Sequence, residues 1–542
     1  MIALHDHLTI PAAFAEAAGR WPDRPFIAAP ANPALDRHAG GFEMTYREAH
    51  RAVEAIARRY RTAGYGGGHR VALLLENKPE HILHKLALAS LGACCVPVNP
   101  DYRSGELAYL IDHSRIDLAV TLAARAAQFQ AGLDEATHRA PVVTLEGFEE
   151  GGPPPAGRPA ADQPVGPDAP SSILYTSGTT GRPKGCILSH YYELASGHWY
   201  ATRGELAAMR EGEERLYNVL PLYHVNAAVV SLFAMMVTGG CQIQGERFQP
   251  SRWWPEVVDT RATIVHYLGV IVPMLLNQPV STLERAHSVR FGIGAGVEPQ
   301  LHAVFEDRFG FPLIEIWGMT ETVRILIDNG PQRQVGTRAF GRAVPGLDVR
   351  VVDDHDQEVP DGQPGEMVVR HSAATPRKAA YSGYLDDEAA TEAAWRGGWF
   401  HTGDTVVRAP DGMLHFLDRK KHIIRRSGEN IAAAEIEALL QAHPKVAQVA
   451  VLAVPDEVRE EEVLACVVPA EGHAAGDALA RELFDWCYAR LAYYKAPGWL
   501  RFMDALPTTG TQKIQKHMIL PKGTDPRTVT GMIDLRAQKK RN

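Results

Sequence analysis

Residues 173–185 read ILYTSGTTGRPKG, an apolar run typical of a buried strand that leads into a loop of glycine, serine and threonine. Glycines let backbone N–H groups approach a ligand closely, while hydroxyl groups and a lysine add donors and one positive charge. The groups that this stretch offers are those of Thr176, Ser177, Gly178, Thr179, Thr180, Gly181, Lys184 and Gly185. Because phosphate oxygens accept hydrogen bonds from such donors, the stretch predicts a phosphate-binding loop rather than an ordinary surface turn.

The stretch does not match the Walker A loop, which needs Gly-Lys followed by Ser or Thr so that the lysine opens a helix. Here Lys184 follows Pro183 and precedes Gly185. Proline has a fixed φ angle and no N–H group, so this lysine is expected in a rigid turn. The sequence therefore disfavours a P-loop kinase or ATPase.

Length and charge narrow the class of protein. The 542 residues exceed the size at which one hydrophobic core keeps growing, so two or more domains are expected. The net charge of −8 gives no reason to expect nucleic acid or an anionic membrane surface as a partner. Apolar runs such as AAVVSLFAMMV are shorter than the roughly 18 to 20 residues of a membrane span. We expect a soluble, cytoplasmic protein without a signal peptide or membrane span, whose six cysteines are reduced and packed.

Helical and strand patterns alternate along the first part of the chain. A helical pattern from Tyr46 to about Ala63 precedes a strand pattern at 71–75, and a second helix and strand follow by residue 98. Alternation of this kind favours parallel sheets covered by helices. Residues 151–170 are rich in Pro, Gly and Ala, and we expect them to form an exposed connection.

A second change of pattern falls near residues 418–422. The chain then continues with the strand patterns VAQVAVLAV and VLACVVP and the helical patterns AEIEALLQAH and LARELFDWCYARLA. We therefore predict an α/β protein with a large N-terminal domain of mostly parallel sheets covered by helices, residues 1–419. A small, mobile α+β C-terminal domain is predicted for residues 420–542.

Six further motifs follow the loop. They are PLYHVNAA (221–228), GIGAGVEP (292–299), IEIWGMTET (314–322), GWFHTGD (398–404), FLDRKKHIIRRSGENIAAAEIE (416–437) and LPTTGTQKIQK (506–516). As a dinucleotide-binding fingerprint GIGAGVEP is weak, because its glycine spacing is wrong and no helix with an acidic partner follows.

Together with the loop, these motifs resemble, in the same order, those of the acyl-adenylate-forming superfamily. Its members are acyl-CoA synthetases, peptide-synthetase adenylation domains and beetle luciferases. In that superfamily a carboxylate attacks the α-phosphate of ATP, pyrophosphate leaves, and the acyl-adenylate then acylates a thiol or an amine. The resemblance extends from residue 173 to residue 516, and the first 170 residues support it only through their α/β pattern.

The resemblance implies an ATP site. It places Trp317 on the adenine, Thr320 on the α-phosphate, and Glu321 on Mg²⁺, which prefers carboxylate and phosphate oxygens. Relatives more often carry Tyr or Phe where Trp317 stands; Trp keeps the stacking face and narrows the space beside the acyl group. The implied ATP-binding residues are Thr176, Ser177, Gly178, Thr179, Thr180, Gly181, Lys184, Gly294, Ala295, Gly296, Trp317, Gly318, Thr320, Asp404 and Arg419, of which the last two bind the ribose.

The resemblance also implies an acyl pocket and a path for coenzyme A. His224 is expected to act as a gate between the carboxylate and the thiol rather than as a base. The implied pocket residues are Trp199, Tyr200, His224, Asn226 and Met319, with Val229 and Arg324 nearby. The implied residues of the CoA path and the hinge are Lys421, the pivot, and Arg425, Ser427 and Gly428.

The implied catalytic residues are Lys513, Thr320, Glu321 and His224. Lys513 falls in register with the family's catalytic lysine, although Gln512 stands where relatives carry glycine. Lys516 and Lys495 are its competitors for this role. A cation between the carboxylate and the α-phosphate stabilises charge that develops during transfer.

The hinge motif RRSGEN looks like that of the crotonobetaine/carnitine-CoA ligases and the aryl-acid CoA ligases. We therefore predict an AMP-forming acid–thiol ligase that uses ATP, Mg²⁺ and free coenzyme A, acting on a short polar or aromatic acid. A stand-alone adenylating enzyme that passes the acyl group to a carrier protein or an amine is one alternative. A non-catalytic nucleotide-binding module is another. The sequence leaves the oligomeric state open, a homodimer included.

Overall fold

The computed structural model describes residues 1–162, 164–176, 183–419, 422–426, 429–491, 493–508, 514–521 and 523–539, with the backbone alone at 425, 429, 430, 460 and 517. Residues 177–182, the centre of the predicted phosphate loop, lie outside this range. Within the described residues, every helix is too short or too polar to cross a bilayer.

The helices and strands have the following bounds. The α-helices are α1 (Ile10–Arg20), α2 (Tyr46–Thr62), α3 (Pro79–Ser90), α4 (Ser104–Ser114), α5 (Ala126–Glu135), α6 (Leu145–Gly151), α7 (His190–Ala201), α8 (Leu232–Thr238), α9 (Pro250–Asp259), α10 (Ile271–Leu276), α11 (Pro299–Phe309), α12 (Glu388–Ala394), α13 (Ala433–Gln441), α14 (Asp477–Tyr488) and α15 (Lys516–Ile519). The first strands are β1 (Pro25–Ala29), β2 (Phe42–Thr45), β3 (Arg70–Leu74), β4 (Cys94–Pro97), β5 (Leu118–Thr121), β6 (Val142–Thr144), β7 (Pro170–Thr176), β8 (Lys184–Ser189), β9 (Arg215–Asn218), β10 (Cys241–Gln244), β11 (Ile264–Leu268), β12 (Phe291–Ala295) and β13 (Leu313–Met319). The remaining strands are β14 (Thr322–Ile327), β15 (Ala339–Gly341), β16 (Asp348–Val352), β17 (Pro364–Arg370), β18 (Gly383–Tyr384), β19 (Phe400–Arg408), β20 (Leu414–Arg419), β21 (Ile423–Arg426), β22 (Glu429–Ala432), β23 (Val446–Asp456), β24 (Glu460–Pro469), β25 (Trp499–Phe502) and β26 (Met532–Asp534).

The chain divides into two compact units. The first comprises Met1–Asp348 and Arg370–Phe400, and the second Val349–Val369 and His401–Asn542. This grouping follows packing, whereas the boundary predicted between residues 419 and 420 concerns movement, so that boundary stays a prediction.

Two sheets build the first unit. One has the strand order β14-β13-β12-β11-β9-β10-β1-β2 and is parallel except for its two edge pairs, β13 with β14 and β1 with β2. The other has the order β18-β8-β7-β4-β3-β5-β6 and is parallel from β7 to β6. The predicted parallel sheets with covering helices are therefore confirmed.

Helix α2 shows how the sequence determines these elements. The Thr45 side chain caps the N-terminus of the helix. The Glu48 carboxylate accepts a hydrogen bond from the Thr45 backbone N–H, which completes a capping box. The side chains that α2 buries recur at helical spacing, from Tyr46 through Val53 to Tyr60. After α2 the chain turns into β3, in which every residue except the first is buried.

Helix α7 follows the predicted phosphate loop and is held from two sides. Ser189 caps its first turn. The Lys85 ammonium on α3 lies 2.8 Å from a Glu193 carboxylate oxygen on α7, and it also donates to Ser172 on β7 at 2.8 Å. On another side, a Cβ atom added to Gly197 would lie 2.3 Å from the backbone of Phe233, so this glycine permits close packing of α7 on α8.

The second unit contains two sheets. Strands β20, β19, β17 and β16 are neighbours in that order. Strands β21 to β26 form the other sheet, in which β23 and β24 are long antiparallel partners. The apolar faces of α13 and α14 pack on this second sheet through residues such as Ile436, Leu440 and Leu483. The predicted small α+β region is confirmed as a fold, and its mobility stays a prediction.

All six cysteines lie within the described residues as buried free thiols. Burial raises the pKa of each of them above the ordinary value for a thiol. The prediction of packed, reduced cysteines is in line with this arrangement.

The α7–α8 contact generates a stability prediction. Gly197→Ala should lower stability by about 1–3 kcal/mol, because the new methyl group overpacks the contact with Phe233. The matched control is Gly19→Ala in α1, where nothing lies within 4 Å of the added Cβ. This control should be neutral or stabilising by about 0.5–1 kcal/mol, the helix-propensity gain of alanine. Urea unfolding of both variants beside the parent measures the difference, and equal shifts would contradict the packing argument.

Candidate functional site

The two strands beside the predicted phosphate loop are antiparallel partners, with Thr176 opposite Lys184. The Lys184 ammonium lies 4.6 Å from the centroid of the Tyr384 ring, a cation–π contact. The loop residues predicted to bind phosphate, Ser177, Gly178, Thr179, Thr180 and Gly181, lie outside the described residues. The strands therefore hold both ends of the loop, one of them by an aromatic contact to its lysine.

The turn between β13 and β14 carries Thr320 and Glu321. Tyr192 on α7 donates a 2.6 Å hydrogen bond to the Thr320 carbonyl, and this bond fixes the turn. Glu321 is only 6% exposed, and its Oε1 accepts a 2.9 Å hydrogen bond from the Tyr384 hydroxyl. Burial and the neighbouring Glu321 charge raise the pKa of Tyr384 well above its ordinary value, so the phenol keeps the proton that it donates.

The same turn offers one carboxylate to a magnesium ion, that of Glu321. Within the described residues, no group of three or more His, Cys, Asp or Glu side chains could cage a metal ion. Mg²⁺ usually binds through one or two carboxylates, with phosphates and water completing an octahedral shell. A single oriented carboxylate, Glu321, therefore fits a magnesium ion that arrives with a nucleotide.

The predicted adenine-side loop follows β12. Gly296 has a φ angle of +85°, and its N–H donates to the Glu315 carboxylate at 2.9 Å. Glu315 also accepts a 2.5 Å hydrogen bond from Tyr267. A Cβ atom at Gly294 would lie 2.2 Å from the Tyr267 carbonyl oxygen, so glycine is required there. Ala295 ends β12 between these two glycines.

The predicted adenine-contacting residues stand at the end of the neighbouring strand. Trp317 is buried, whereas Gly318 is exposed. Met319, predicted to line the acyl pocket, is half-buried and pairs with Thr322 across the hairpin. Parallel pairing of β12 with β13 brings the glycine loop and this hairpin to the same edge of the sheet.

Asn226 begins a π-helical segment, Asn226–Ser231, and His224 lies two residues before it. Turns of π-helix are rare and are frequent at functional sites. The half-buried ring of His224 lies 4.6 Å from the ring of Tyr223. Val229, the other residue noted near the pocket, is fully buried in this segment.

A buried hydrogen-bond chain connects two of the predicted pocket residues. The Tyr200 hydroxyl lies 2.8 Å from His266 Nε2, and His266 Nδ1 lies 2.7 Å from Asn226 Oδ1. Burial lowers the pKa of His266 to about 3, so its imidazole is neutral and carries one proton. If Nδ1 donates to Asn226, Nε2 is left to accept from Tyr200. Tyr200 thus orients Asn226 through His266, and its own side chain is 1% exposed.

In the second unit, the structure brings the two predicted ribose residues together. Asp404 on β19 and Arg419 on β20 are cross-strand partners, and Arg419 Nε lies 2.8 Å from Asp404 Oδ1. Asp404 is 1% exposed, whereas Arg419 is part-exposed. The β19–β20 register therefore presents a carboxylate and a guanidinium side by side.

Several predicted residues of the second unit lie outside the described range. These are Lys421, Ser427, Gly428 and Lys513, together with the side chain of Arg425. The two competitors of Lys513 are described, and both form ion pairs: Lys516 with Glu437 at 2.9 Å and Lys495 with Glu435 at 2.6 Å.

A buried charge cluster supports the β-hairpin that carries the predicted CoA path. Glu462 binds Arg426 at 2.8 Å through one carboxylate oxygen and Lys539 at 2.6 Å through the other. All three side chains are nearly inaccessible to solvent. Burial lowers the pKa of Lys539 to about 8.

The arrangement of these motifs matches a known family. A model of the AMP-binding enzymes matches residues 14–378, more than half of the chain, and a model of the AMP-binding enzyme C-terminal domain matches residues 435–513. The chain belongs to the AMP-binding enzyme family. The predicted membership of the adenylate-forming proteins is thereby confirmed.

Curated relatives and solved structures agree with this assignment. This AMP-binding enzyme is 32% identical over 520 residues to sulfoacetate–CoA ligase of Cupriavidus necator, and the match covers 94% of this chain and 97% of the relative. It is 30% identical over 483 residues to a crotonobetaine/carnitine–CoA ligase of Escherichia coli, and this match covers 87% of this chain and 92% of the relative. The structure of ATP-bound MatB from Rhodopseudomonas palustris matches with a TM-score of 0.77 and 26% identity over 94% of this chain and 98% of that chain.

Sequence reasoning missed three residues that shape the site of this AMP-binding enzyme. They are Tyr384, which binds Glu321, Glu315, which holds the glycine loop, and His266, which orients Asn226. The sequence offers one weak signal, the tyrosine pair in AYSGY, and nothing local for the other two.

The bond between Tyr384 and Glu321 generates a kinetic prediction. Tyr384→Phe should lower kcat/KM for MgATP by about 10- to 100-fold, because a hydrogen bond to a charged group contributes about 1.5–3 kcal/mol. The matched control is Tyr381→Phe, since the Tyr381 hydroxyl is buried next to Tyr384 and has no hydrogen-bond partner within the described residues. Steady-state kinetics with varied MgATP compare the two variants. Equal losses in both would show that the bond to Glu321 is unimportant.

Proposed function

We propose that this protein is an ATP-dependent carboxylic acid–CoA ligase that works through an acyl-adenylate. The acid, ATP and CoA would give acyl-CoA, AMP and pyrophosphate. One observation carries the proposal: Tyr384 contacts both the lysine of the phosphate loop, Lys184, and the carboxylate suited to magnesium, Glu321. In this proposal Lys184 and Glu321 would bind a nucleoside triphosphate and its metal on either side of Tyr384.

The first half-reaction joins the acid to AMP. A carboxylate is a poor electrophile, so it attacks the α-phosphorus of ATP, a new P–O bond forms, and the bond to pyrophosphate breaks. We propose that Trp317 stacks on adenine, Thr320 donates to the α-phosphate, and Asp404 with Arg419 binds the ribose. Mg²⁺ on Glu321 would offset the negative charge of the phosphates.

Lys513 completes this half-reaction in our proposal. Its ammonium would lie between the carboxylate and the α-phosphate, two groups whose negative charges otherwise repel each other. The ion pairs of Lys516 and Lys495 support this choice, because each competitor already has a carboxylate partner.

The second half-reaction transfers the acyl group. The CoA sulfur attacks the acyl carbon, AMP leaves, and the thiol proton passes to solvent. We propose that residues 420–542 move as a domain about Lys421, since Lys513 and the thiol need the same carbonyl at different times. His224 would gate the thiol, and Arg425, Ser427 and Gly428 would line its path.

The acid is proposed to be short and either polar or aromatic. Sulfoacetate–CoA ligase and crotonobetaine/carnitine–CoA ligase among the relatives carry names of short polar acids. A cytoplasmic location, a homodimer and the lack of a nucleic-acid partner remain predictions from the sequence.

The first test concerns the products. We expect acid-dependent release of AMP and pyrophosphate, with acyl-CoA formed when CoA is present, because attack is at the α-phosphate. A panel of carboxylic acids assayed with and without CoA measures this, and omission of Mg²⁺ should abolish it. If ADP were the product with any active acid, the proposed attack at the α-phosphate would be wrong. Transfer of the acyl group to an amine but not to CoA would favour a stand-alone adenylating enzyme.

The second test concerns Lys513. Lys513→Ala should slow adenylation by about 10²- to 10³-fold, the effect of removing one preorganised transition-state donor. It should spare thioester formation from synthetic acyl-AMP, which no longer contains the carboxylate on which the lysine acts. Lys516→Ala and Lys495→Ala serve as controls and should keep the adenylation rate within a few-fold. A similar loss in both half-reactions of Lys513→Ala would point to misfolding or another role.

A further inference from the structure

Two guanidinium groups lie against the ring of Trp199, a predicted wall of the acyl pocket. The Arg203 guanidinium carbon is 3.7 Å from the ring centroid and that of Arg324 is 5.6 Å away. The indole of Trp199 is itself fixed, because its N–H donates to the Ile325 carbonyl at 2.9 Å. Two positive charges thus share one aromatic side chain in the first unit.

Arg324 is a buried cation without a carboxylate. It is 9% exposed, its Nη1 donates to the Lys378 carbonyl at 2.7 Å, and its buried Nε has no hydrogen-bond partner within the described residues. Nor does any described carboxylate lie within ion-pair distance of it. Burial lowers the pKa of Arg324 to about 10, and the charge of Arg203 acts in the same direction.

The groups that face Arg324 are cationic or neutral. They are Tyr191, Tyr192, Arg203 and His371, and burial together with the Arg324 charge lowers the pKa of His371. Asp6 accepts a hydrogen bond from the Tyr191 hydroxyl. Its carboxylate is exposed and forms its ion pair with the Lys378 ammonium, at 3.0 Å. The surroundings of Arg324 therefore concentrate positive charge.

The other buried arginine among the described residues is paired, since Arg426 binds Glu462. The part-buried Arg333 and Arg308 are paired as well, with Glu306 and Glu284. Pairing is expected, since a desolvated charge without a counter-ion destabilises the folded state. Arg203 has a structural role, because its Nε donates to the Trp199 carbonyl in the last turn of α7, where a cation is favourable. Arg324 also donates to a main-chain carbonyl, that of Lys378, but its charge has no carboxylate counter-ion among the described residues.

Arg324 lies on β14 close to the turn that carries Thr320 and Glu321. It lies two residues after Thr322, which pairs with Met319, so it is on the same face of β14 about 7 Å further along. Thr320 and Glu321, the proposed α-phosphate and magnesium residues, form the turn just before Thr322. In the proposal that follows, the group bound by Arg324 is the end of the acid remote from the reacting carboxylate.

We propose that the acid carries a second, distal anionic group, a carboxylate or a sulfonate, which binds to Arg324 beside Trp199. This inference rests on the proposed ligase function and narrows its substrate class to short acids with an anionic far end. Guanidinium forms charge-assisted, bidentate hydrogen bonds with planar oxyanions, and the free Nε of Arg324 supplies a donor. Arg203 adds favourable charge and repels an acid with a cationic far end.

Matched acids test this proposal by pyrophosphate release. Malonate, succinate and glutarate are compared with propionate, butyrate and pentanoate, and isophthalate with benzoate. Sulfoacetate and 3-sulfopropionate distinguish a sulfonate from a carboxylate, and glycine betaine and 4-(trimethylammonio)butyrate supply cationic ends. We expect one anionic-ended acid to exceed its neutral counterpart in kcat/KM by about 10- to 100-fold, the range for a charge-assisted hydrogen bond.

Variants of Arg324 then separate recognition from packing. Arg324→Gln should remove the preference, lowering the ratio of kcat/KM for the anionic acid to kcat/KM for the neutral acid by about 10- to 100-fold, through KM for the anionic acid. Arg324→Lys should restore part of it, because the charge returns without the bidentate geometry. Preference of the parent for neutral or cationic acids, or an equal loss for both acids in Arg324→Gln, would overturn the proposal.

A binding measurement keeps this test separate from that of the ligase function. If no acid in the panel released pyrophosphate, the ligase proposal would lose its support. The shift in unfolding midpoint caused by each acid in the presence of AMP would still decide the role of Arg324. Larger shifts for the anionic acids, lost in Arg324→Gln, would support the anion site, and equal shifts in parent and variant would refute it.

Discussion

The buried ion pair of Lys85 with Glu193 holds helix α7, and much of the site in the first unit depends on that helix. Both side chains are almost fully removed from water, and Ser172 on β7 joins them. Removing one partner of such a pair leaves an uncompensated charge, at a cost of about 3–5 kcal/mol. The pair therefore fixes α7 to β7, the strand before the predicted phosphate loop, and the helix cannot shift without breaking the pair.

Helix α7 in turn holds the β13–β14 hairpin through two hydrogen bonds. Tyr192 holds the Thr320 carbonyl at one end of the hairpin turn, and Trp199 holds the Ile325 carbonyl two turns further along the helix. Tyr384 then ties Glu321 in the same turn to the region of Lys184. Side chains that bind main-chain carbonyls thus set the position of the hairpin.

The sequence predicted what is local and missed what is distant. Helix α2 and strand β3 follow from periodicity and capping within some twenty residues, and the glycine loop and the turn at Glu321 follow from short motifs. Tyr384 and Glu321 are 63 positions apart, and Lys85 and Glu193 are 108 apart. Such contacts depend on how the strands are ordered in the sheets, and a single sequence contains no local signal for that order.

The buried cysteines bear on chemical selectivity. An acyl-adenylate is a reactive electrophile intended for one external thiol, so any accessible thiolate of the protein would compete for it. Cys186 lies on the strand that Lys184 begins, with its Sγ 4.0 Å from the Thr176 hydroxyl oxygen. Burial, reinforced by the charge of Glu321, raises the pKa of Cys186 well above that of a free thiol. A buried thiol with a raised pKa is a poor nucleophile, so the fold disfavours acylation of Cys186 by such an intermediate.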